Sequence, residues 1–358
     1  MSHYHLLEQA MPSSDLSETH QVIVDRSLDG GSSVAIEEIH ACPLCGEEDY
    51  TEVFYGSDDR HGFQGEFTAV ECLGCGLVYL KQIVNPERAK NLYEQYYTHD
   101  CIQDRKATVN ESHLFTYLEK LGLVSLMRSL HASVFRRSVL FSRYIQKGDS
   151  VLDVGCGHGN LAHVVTEQGA SWNGLEIDAK RCAYVRGMGY RCFEGTIEEF
   201  LEIRSERFDV LLLSHVLEHC HDPVAFIRSC RSALKPGGRL VLASPNYDSF
   251  DRRKFGEKWL HWHAPYHVCQ FNQSTIGRLA VLSGMTIRSF TTMTPYCFFV
   301  RQRSAPRTGS AFLAWLYRLQ PIVSLYLLFR DWFMPGDVLI AELVTKGAGE
   351  ATRGASRG

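Results

Sequence analysis

From Ser150 to the C-terminal region, short apolar runs alternate with stretches of helical spacing. Val151–Val154 is a short apolar run that leads straight into glycines, and Ser171–Ile177 and Tyr190–Phe193 read as the next two strands. Phe208–Leu213 is apolar at every position but Asp209, the pattern of a strand covered on both faces. Asp222-Pro223 caps a helix that closes at Lys235-Pro236-Gly237-Gly238. Arg239–Ala243, Met285–Thr291 and Val338–Val344 read as the fifth, sixth and seventh strands. Strands alternating with helices predict an α/β fold, a parallel sheet with helices on both faces.

Upstream the pattern changes. Residues 1–37 are polar and rich in Ser and Asp, the composition of a disordered leader, and the Gly-rich tail 347–358 reads the same way. Residues 38–84 hold two C-x-x-C pairs. Residues 85–146 show helical spacing, opening at Asn85-Pro86-Glu87 and continuing through Leu92, Tyr93, Tyr96, Leu114, Tyr117, Leu118 and Leu121, so they read as a helical cap or linker before a domain over 147–346. That domain contains an apolar insert at 300–336, between its sixth and seventh strands. Within it Ala311–Phe333 is rich in Leu and aromatics, preceded by Arg301, Arg303 and Arg307 and broken by Arg318, Gln320 and Pro321. Those breaks argue against a membrane span. They leave a helical lid, a homodimer contact, or a helix lying on a membrane surface near a lipid-linked acceptor.

Composition narrows the function classes. Hydrophobic residues make up 45% and charged residues 22% of the 358, which permits a sizeable core. A formal net charge of -4 argues against a broad nucleic-acid surface. Of the 12 cysteines, those outside the two C-x-x-C pairs are scattered without framework spacing, which points to a reducing compartment. The N-terminus has neither the basic nor the apolar region of a secretory signal, so the expected location is the cytoplasm, peripheral at the inner membrane face if the insert docks there.

The central chemical signal is Val151-Leu152-Asp153-Val154-Gly155-Cys156-Gly157-His158-Gly159, a strand entering a glycine turn. A second strand ends near Glu176, whose carboxylate is placed to accept hydrogen bonds from ribose hydroxyls. A dinucleotide fingerprint would need its last glycine at position 160, which is Asn160. Asp153 beside the turn would repel a pyrophosphate and attract an ammonium group. The D-x-G-x-G-x-G order resembles motif I of the class I S-adenosylmethionine (SAM)-dependent methyltransferases. The resemblance continues through Gly195-Thr196-Ile197-Glu198, Phe208–His219 and Leu234-Lys235-Pro236-Gly237-Gly238. It implies a seven-stranded Rossmann-like sheet and a SAM site made by Asp153, Gly155, Cys156, Gly157, Gly159, Glu176, Thr196, Ile197 and Ser214.

Cys42-Pro43-Leu44-Cys45-Gly46 and Cys72-Leu73-Gly74-Cys75-Gly76 form two knuckles of one shape. Four thiolates around Zn²⁺ make a closed structural site, so Cys42, Cys45, Cys72 and Cys75 are the expected ligands of a zinc ribbon. A zinc module ahead of such a domain resembles a bacterial group of polysaccharide and natural-product methyltransferases related to sugar methyltransferases, which Cys72-x-x-Cys75-Gly76-Leu77-Val78-Tyr79 fits.

Methyl transfer to a hydroxyl needs in-line alignment and removal of a proton, a task suited to histidine. Ser214-His215-Val216-Leu217-Glu218-His219 follows the fourth strand. Its H-x-x-E-H order is literally a zinc-protease pattern. It also resembles the metal-binding E-x-x-E-H of some ubiquinone O-methyltransferases, with His215 in place of the first Glu. The second cluster is Trp259-Leu260-His261-Trp262-His263-Ala264-Pro265-Tyr266-His267 with Phe271. His267 is the first candidate for general base, with His215 and His219 beside it. Trp262, His263 and Tyr266 are candidate substrate contacts. The alternative for these side chains is loop packing. The function expected is O-methylation of a small-molecule or glycan acceptor, a sugar or polysaccharide precursor. Its rivals are a zinc-ribbon ribosomal RNA methyltransferase and a non-catalytic SAM-sensing module.

Overall fold

The computed structural model describes residues 20–22, 36–58, 60–63, 65–85, 141–295, 298–299, 302 and 320–345. Most of the expected leader, nearly all of the 85–146 cap, the first part of the apolar insert and the tail lie outside the described residues.

The N-terminal module contains β1 (His20–Val22), β2 (Ile36–Ile39), β3 (Tyr50–Gly56), β4 (Phe67–Cys72), β5 (Val78–Leu80) and β6 (Gln82–Val84). Strands β1, β2 and β6 form a small antiparallel sheet, so His20–Val22 of the expected leader is paired backbone. Strands β3, β4 and β5 form a second antiparallel sheet.

The larger unit runs β7 (Ser150–Val154), α1 (Ala162–Glu167), β8 (Ser171–Glu176), α2 (Ala179–Gly187), β9 (Arg191–Glu194), α3 (Ile197–Ile203) and β10 (Phe208–Ser214). It continues with α4 (Pro223–Ser232), β11 (Leu234–Pro245), α5 (Phe250–Phe255), β12 (Cys269–Gln270), α6 (Gln273–Leu282), β13 (Met285–Met293), α7 (Gln320–Phe333) and β14 (Val338–Thr345). Local chemistry sets the helix starts. The Asp178 side chain accepts from the Lys180 and Arg181 amides, Thr196 and Glu199 form a capping box, and Asp222 caps a helix with Pro223 in its first turn.

All seven expected strands join one sheet, in the order β13-β14-β11-β10-β7-β8-β9. The pairs from β9 through β11 are parallel, whereas β14 runs antiparallel to both β11 and β13. The Lys235–Gly238 turn differs from expectation. Leu234 already pairs with Phe208, the intervening residues bulge out with Gly237 at φ +78°, and pairing resumes at Val210 and Arg239. The bulge lets the chain leave α4 without a separate loop.

Alternate residues of the central strands face opposite sides. Val151, Val210, Leu212 and Val241 enter one cluster, with Trp172 and Phe141. Leu152, Leu211, Leu213, Leu240 and Leu242 enter a larger one that runs without interruption into Phe67, Tyr79 and Leu77 of the N-terminal module. The short strand β12 pairs with β5, so the module's second sheet is completed by a strand from the far half of the chain.

Candidate active site

The strand order reverses between β7 and β10, and ligands of open α/β sheets bind outside the carboxyl ends of strands at such a point. The glycine loop lies there. Gly155, Gly157 and Gly159 all have positive φ, at +67°, +56° and +70°, which L side chains rarely adopt. A Cβ on Gly155 would lie 2.7 Å from Val216 Cγ2, whereas one on Gly157 would meet nothing within 4 Å. Gly157 therefore borders open space that a ligand can approach along the backbone. The Glu176 carboxylate, 5% exposed, accepts from the Gly157 amide at 2.8 Å and from the Asp178 amide at 3.0 Å. Asp153, buried at the end of β7, accepts from Trp172 Nε1 at 3.3 Å. Cys156 is buried beneath the loop with its Sγ 3.9 Å from that of Cys192, and its thiol is pushed up by the Cys192 contact and by burial.

Thr196 stands at the N-cap of α3 after β9, Ile197 is buried behind it, and Ser214 ends β10. The expected SAM residues thus gather at the carboxyl ends of adjacent strands. Asp153, Glu176 and the bare Gly157 make a cradle suited in shape and charge to a nucleoside carrying an ammonium group.

Beyond Ser214 the chain bends sharply. His215 has φ +58°, a rare conformation for a residue with a side chain, and His263 has φ +41°. The bend turns His215 Nδ1 onto Glu218 Oε1 at 2.9 Å, while Glu218 Oε2 accepts from Ser244 Oγ at 3.0 Å. Glu218 is fully buried. Burial opposes its ionisation, yet the His215 hydrogen bond and the nearby His267 and His219 rings outweigh it and hold the carboxyl below its usual range.

Two imidazoles converge on that carboxylate. His219 Nδ1 donates to the Tyr266 carbonyl at 2.7 Å, and His267 Nδ1 donates to the His261 carbonyl at 2.8 Å. With Nδ1 so occupied, Nε2 is the ring nitrogen that each has left for a proton or a cation. Glu218, His219 and His267 bring one ligand atom each within 4.8 Å of one another, a set that could hold a cation. An Nδ1–H anchored on a carbonyl is the usual support of a metal-binding histidine. Burial and the adjacent His219 push His267 well below its ordinary range, so the ring is neutral near pH 7.

Sequence spacing did not reveal Asp337. It accepts from His261 Nε2 at 3.0 Å, Trp259 Nε1 at 2.9 Å and Ser249 Oγ at 3.1 Å, all buried. His261 in turn stacks 6.3 Å from His267, and Phe298 abuts both His261 and His215. The three candidate substrate contacts are buried against the N-terminal module. Trp262 stacks on Phe54 at 4.4 Å, His263 Nε2 lies 3.2 Å from His61 Nε2, and the Tyr266 hydroxyl donates to Asp58 at 3.3 Å.

The four knuckle cysteines meet. Sγ atoms of Cys42 and Cys75 are 3.5 Å apart, as are those of Cys45 and Cys72, and all four lie within 4.8 Å of one another. Zn–S bonds of about 2.3 Å would place sulfurs about 3.8 Å apart in a tetrahedron, so the donor set and spacing fit that ion. The knuckles match bond for bond. Gly46 and Gly76 share φ +75°, and their amides donate to the Cys42 and Cys72 carbonyls at 2.9 Å each.

Known proteins resemble parts of this chain. A ubiquinone biosynthesis O-methyltransferase of Sodalis glossinidius is 35% identical over 105 residues, 28% of this chain and 42% of that protein. Another, from Histophilus somni, is 38% identical over 106 residues, 27% of this chain and 44% of that protein. The chain thus spans less than half the length of these curated relatives. A solved SAM-dependent methyltransferase from Archaeoglobus fulgidus aligns at 18% identity with a TM-score of 0.41, over 65% of this chain and all of that one. Residues 127–289, a little under half of the chain, match the family model described as a methyltransferase domain.

Proposed function

We propose that the protein is a SAM-dependent O-methyltransferase acting on a small-molecule hydroxyl. The observation that carries this reading is the cradle of Asp153, Glu176 and three positive-φ glycines at the switch point, beside a buried histidine–carboxylate cluster. Bound there, SAM supplies an electrophilic methyl group on a sulfonium. Glu176 would take the ribose hydroxyls, Asp153 would balance the ammonium group, and the open backbone at Gly157 would lie along the ligand. Cys156, Gly159, Thr196, Ile197 and Ser214 shape the rest of the SAM site.

His267, neutral with Nε2 as acceptor, takes the proton of the acceptor hydroxyl as that oxygen forms its bond to carbon. Glu218 steadies the imidazolium that results. His215 and His219 hold Glu218 and the loop in place and stand as the other candidates for base. Trp262, His263 and Tyr266 back the acceptor side of the site. Cys42, Cys45, Cys72 and Cys75 hold a structural zinc ion.

The names of the relatives favour a ring hydroxyl of the kind methylated in ubiquinone biosynthesis, and Phe298 beside the histidines supports an aromatic acceptor. The motif around Cys72–Tyr79 favours a hydroxyl of a sugar or polysaccharide precursor. Calorimetry with SAM, followed by transfer of labelled methyl to a panel of catechols, nucleotide sugars and ribosomal RNA, separates these readings. Wild type is expected to bind SAM, and Glu176→Ala to weaken binding by at least about tenfold. Absence of SAM binding by folded wild type would overturn the proposal, and binding without transfer to any acceptor would favour the sensing module.

A further inference from the structure

Helix α7 (Gln320–Phe333) is arranged inside out. Its charged residues point into the protein: Arg330, 5% exposed, reaches Asp251 at 3.3 Å and Asp331 at 2.7 Å, and also bonds Thr294. Leu327 is buried on the same side. The opposite side carries Tyr326, Phe329, Trp332 and Phe333, with Met334 just beyond; these are 52%, 68%, 86%, 70% and 40% exposed. Steps of three and four residues put the first four on one helix face. Together they make an apolar patch on the order of a few hundred Å², the size at which an exposed surface marks a binding function.

The chemistry of the patch selects its occupant. Trp and Tyr are the side chains that settle at a membrane–water boundary, with the ring among acyl chains and the polar atom among headgroups. Charge points the same way. No Asp or Glu occurs between Glu257 and Asp331, whereas Arg301, Arg303, Arg307 and Arg318 all fall there, in a chain of net charge -4. In sequence, a basic stretch that precedes interfacial aromatics matches an anionic lipid surface. Arg318 also sits in Phe312-Leu313-Ala314-Trp315-Leu316-Tyr317-Arg318, which extends the same aromatic and basic character in sequence. No helix among the described residues is long and apolar enough to cross a membrane, so the fitting mode is lying on the surface.

We infer that the outer face of α7 docks on an anionic lipid bilayer. The patch connects to the candidate active site through neighbouring residues. The Phe299 ring lies 6.2 Å from Tyr326, while Phe298 abuts His215 and His261. A docked molecule therefore holds its acceptor side close to the headgroup layer. The inference is independent of methyl transfer, because binding is read without SAM or acceptor.

The test is flotation of the full-length protein with vesicles of phosphatidylcholine alone and with added phosphatidylglycerol. It is run for wild type and for a Phe329→Ser/Trp332→Ser/Phe333→Ser variant, whose changes lie on exposed positions and whose circular dichroism is expected to match wild type. Wild type is expected to float with anionic vesicles, less with neutral ones and less at high salt. The variant is expected to lose at least about tenfold in partitioning. Failure of wild type to float, or equal flotation of the variant, would overturn the inference. So would a wild-type dimer in light scattering that the variant converts to monomer without any vesicle binding, since a second copy would then be the occupant.

Discussion

Gly155 sits where three demands meet: a φ of +67°, an amide bonded to the Leu175 carbonyl at 2.8 Å, and Val216 packed where a side chain would begin. Gly155→Ala is expected to lower stability by about 1–3 kcal/mol and to abolish measurable SAM binding, as checked by thermal unfolding and calorimetry. Such a residue is legible in sequence because its constraint is local: a strand end, a turn and a helix start fall within nine positions. The knuckle glycines are legible for the same reason. Asp337 is not, since what defines it is a hydrogen bond to His261, 76 residues away in sequence, and no spacing rule reaches that far. Glu218 falls between; its motif was visible, but the convergence of His267 on it came only from the fold.

Among the elements, the edge joining β7, β10 and the start of β11 shows how strand register is fixed electrostatically. Asp209 accepts from the Ser150 amide and hydroxyl at 2.8 Å each and from Lys235 Nζ at 2.7 Å. Burial raises its carboxyl pKa, but the Lys235 and Ser150 bonds pull harder and hold it at about 2, below its ordinary 3.8. A carboxyl depressed in the folded state contributes stability that is full above its unfolded value and is lost as pH falls through the folded one. Asp209→Asn should therefore melt lower than wild type at pH 5–7, with the gap between the two closing as pH drops from about 4 to 2; a gap that widened in acid would refute the assignment. Apolar runs revealed β7, β10 and β14 most clearly because these strands are buried on both faces, whereas β9 and β13 are only partly buried. Strand β12 has two residues and exists only through its pairing with β5, so no periodicity could announce it.

The molecule as a whole is joined more tightly than the division into a zinc module and a methyltransferase domain suggests. Val268, Cys269 and Gln270 bond to β5, Trp262 stacks on Phe54, and one apolar cluster spans both halves. The segment that presents His263, Tyr266 and His267 is thus built on the cysteine knuckles. Cys72→Ser is expected to lose the bound zinc, by metal analysis, and to lower the melting temperature. SAM affinity should fall with it, although Cys72 lies in the other half of the chain. Retention of full SAM affinity and stability by a metal-free variant would show that the halves are energetically separate.

The pairing of β12 with β5 carries one more consequence. With zinc held by the four cysteines as proposed, a strong chelator would behave as an inhibitor of a reaction in which the chelated ion takes no chemical part. It would act slowly, on the timescale of local unfolding, and addition of substrate would not compete with it. Zinc supply would then set how much of the protein is competent, while the acceptor and methyl donor set how fast the competent fraction works.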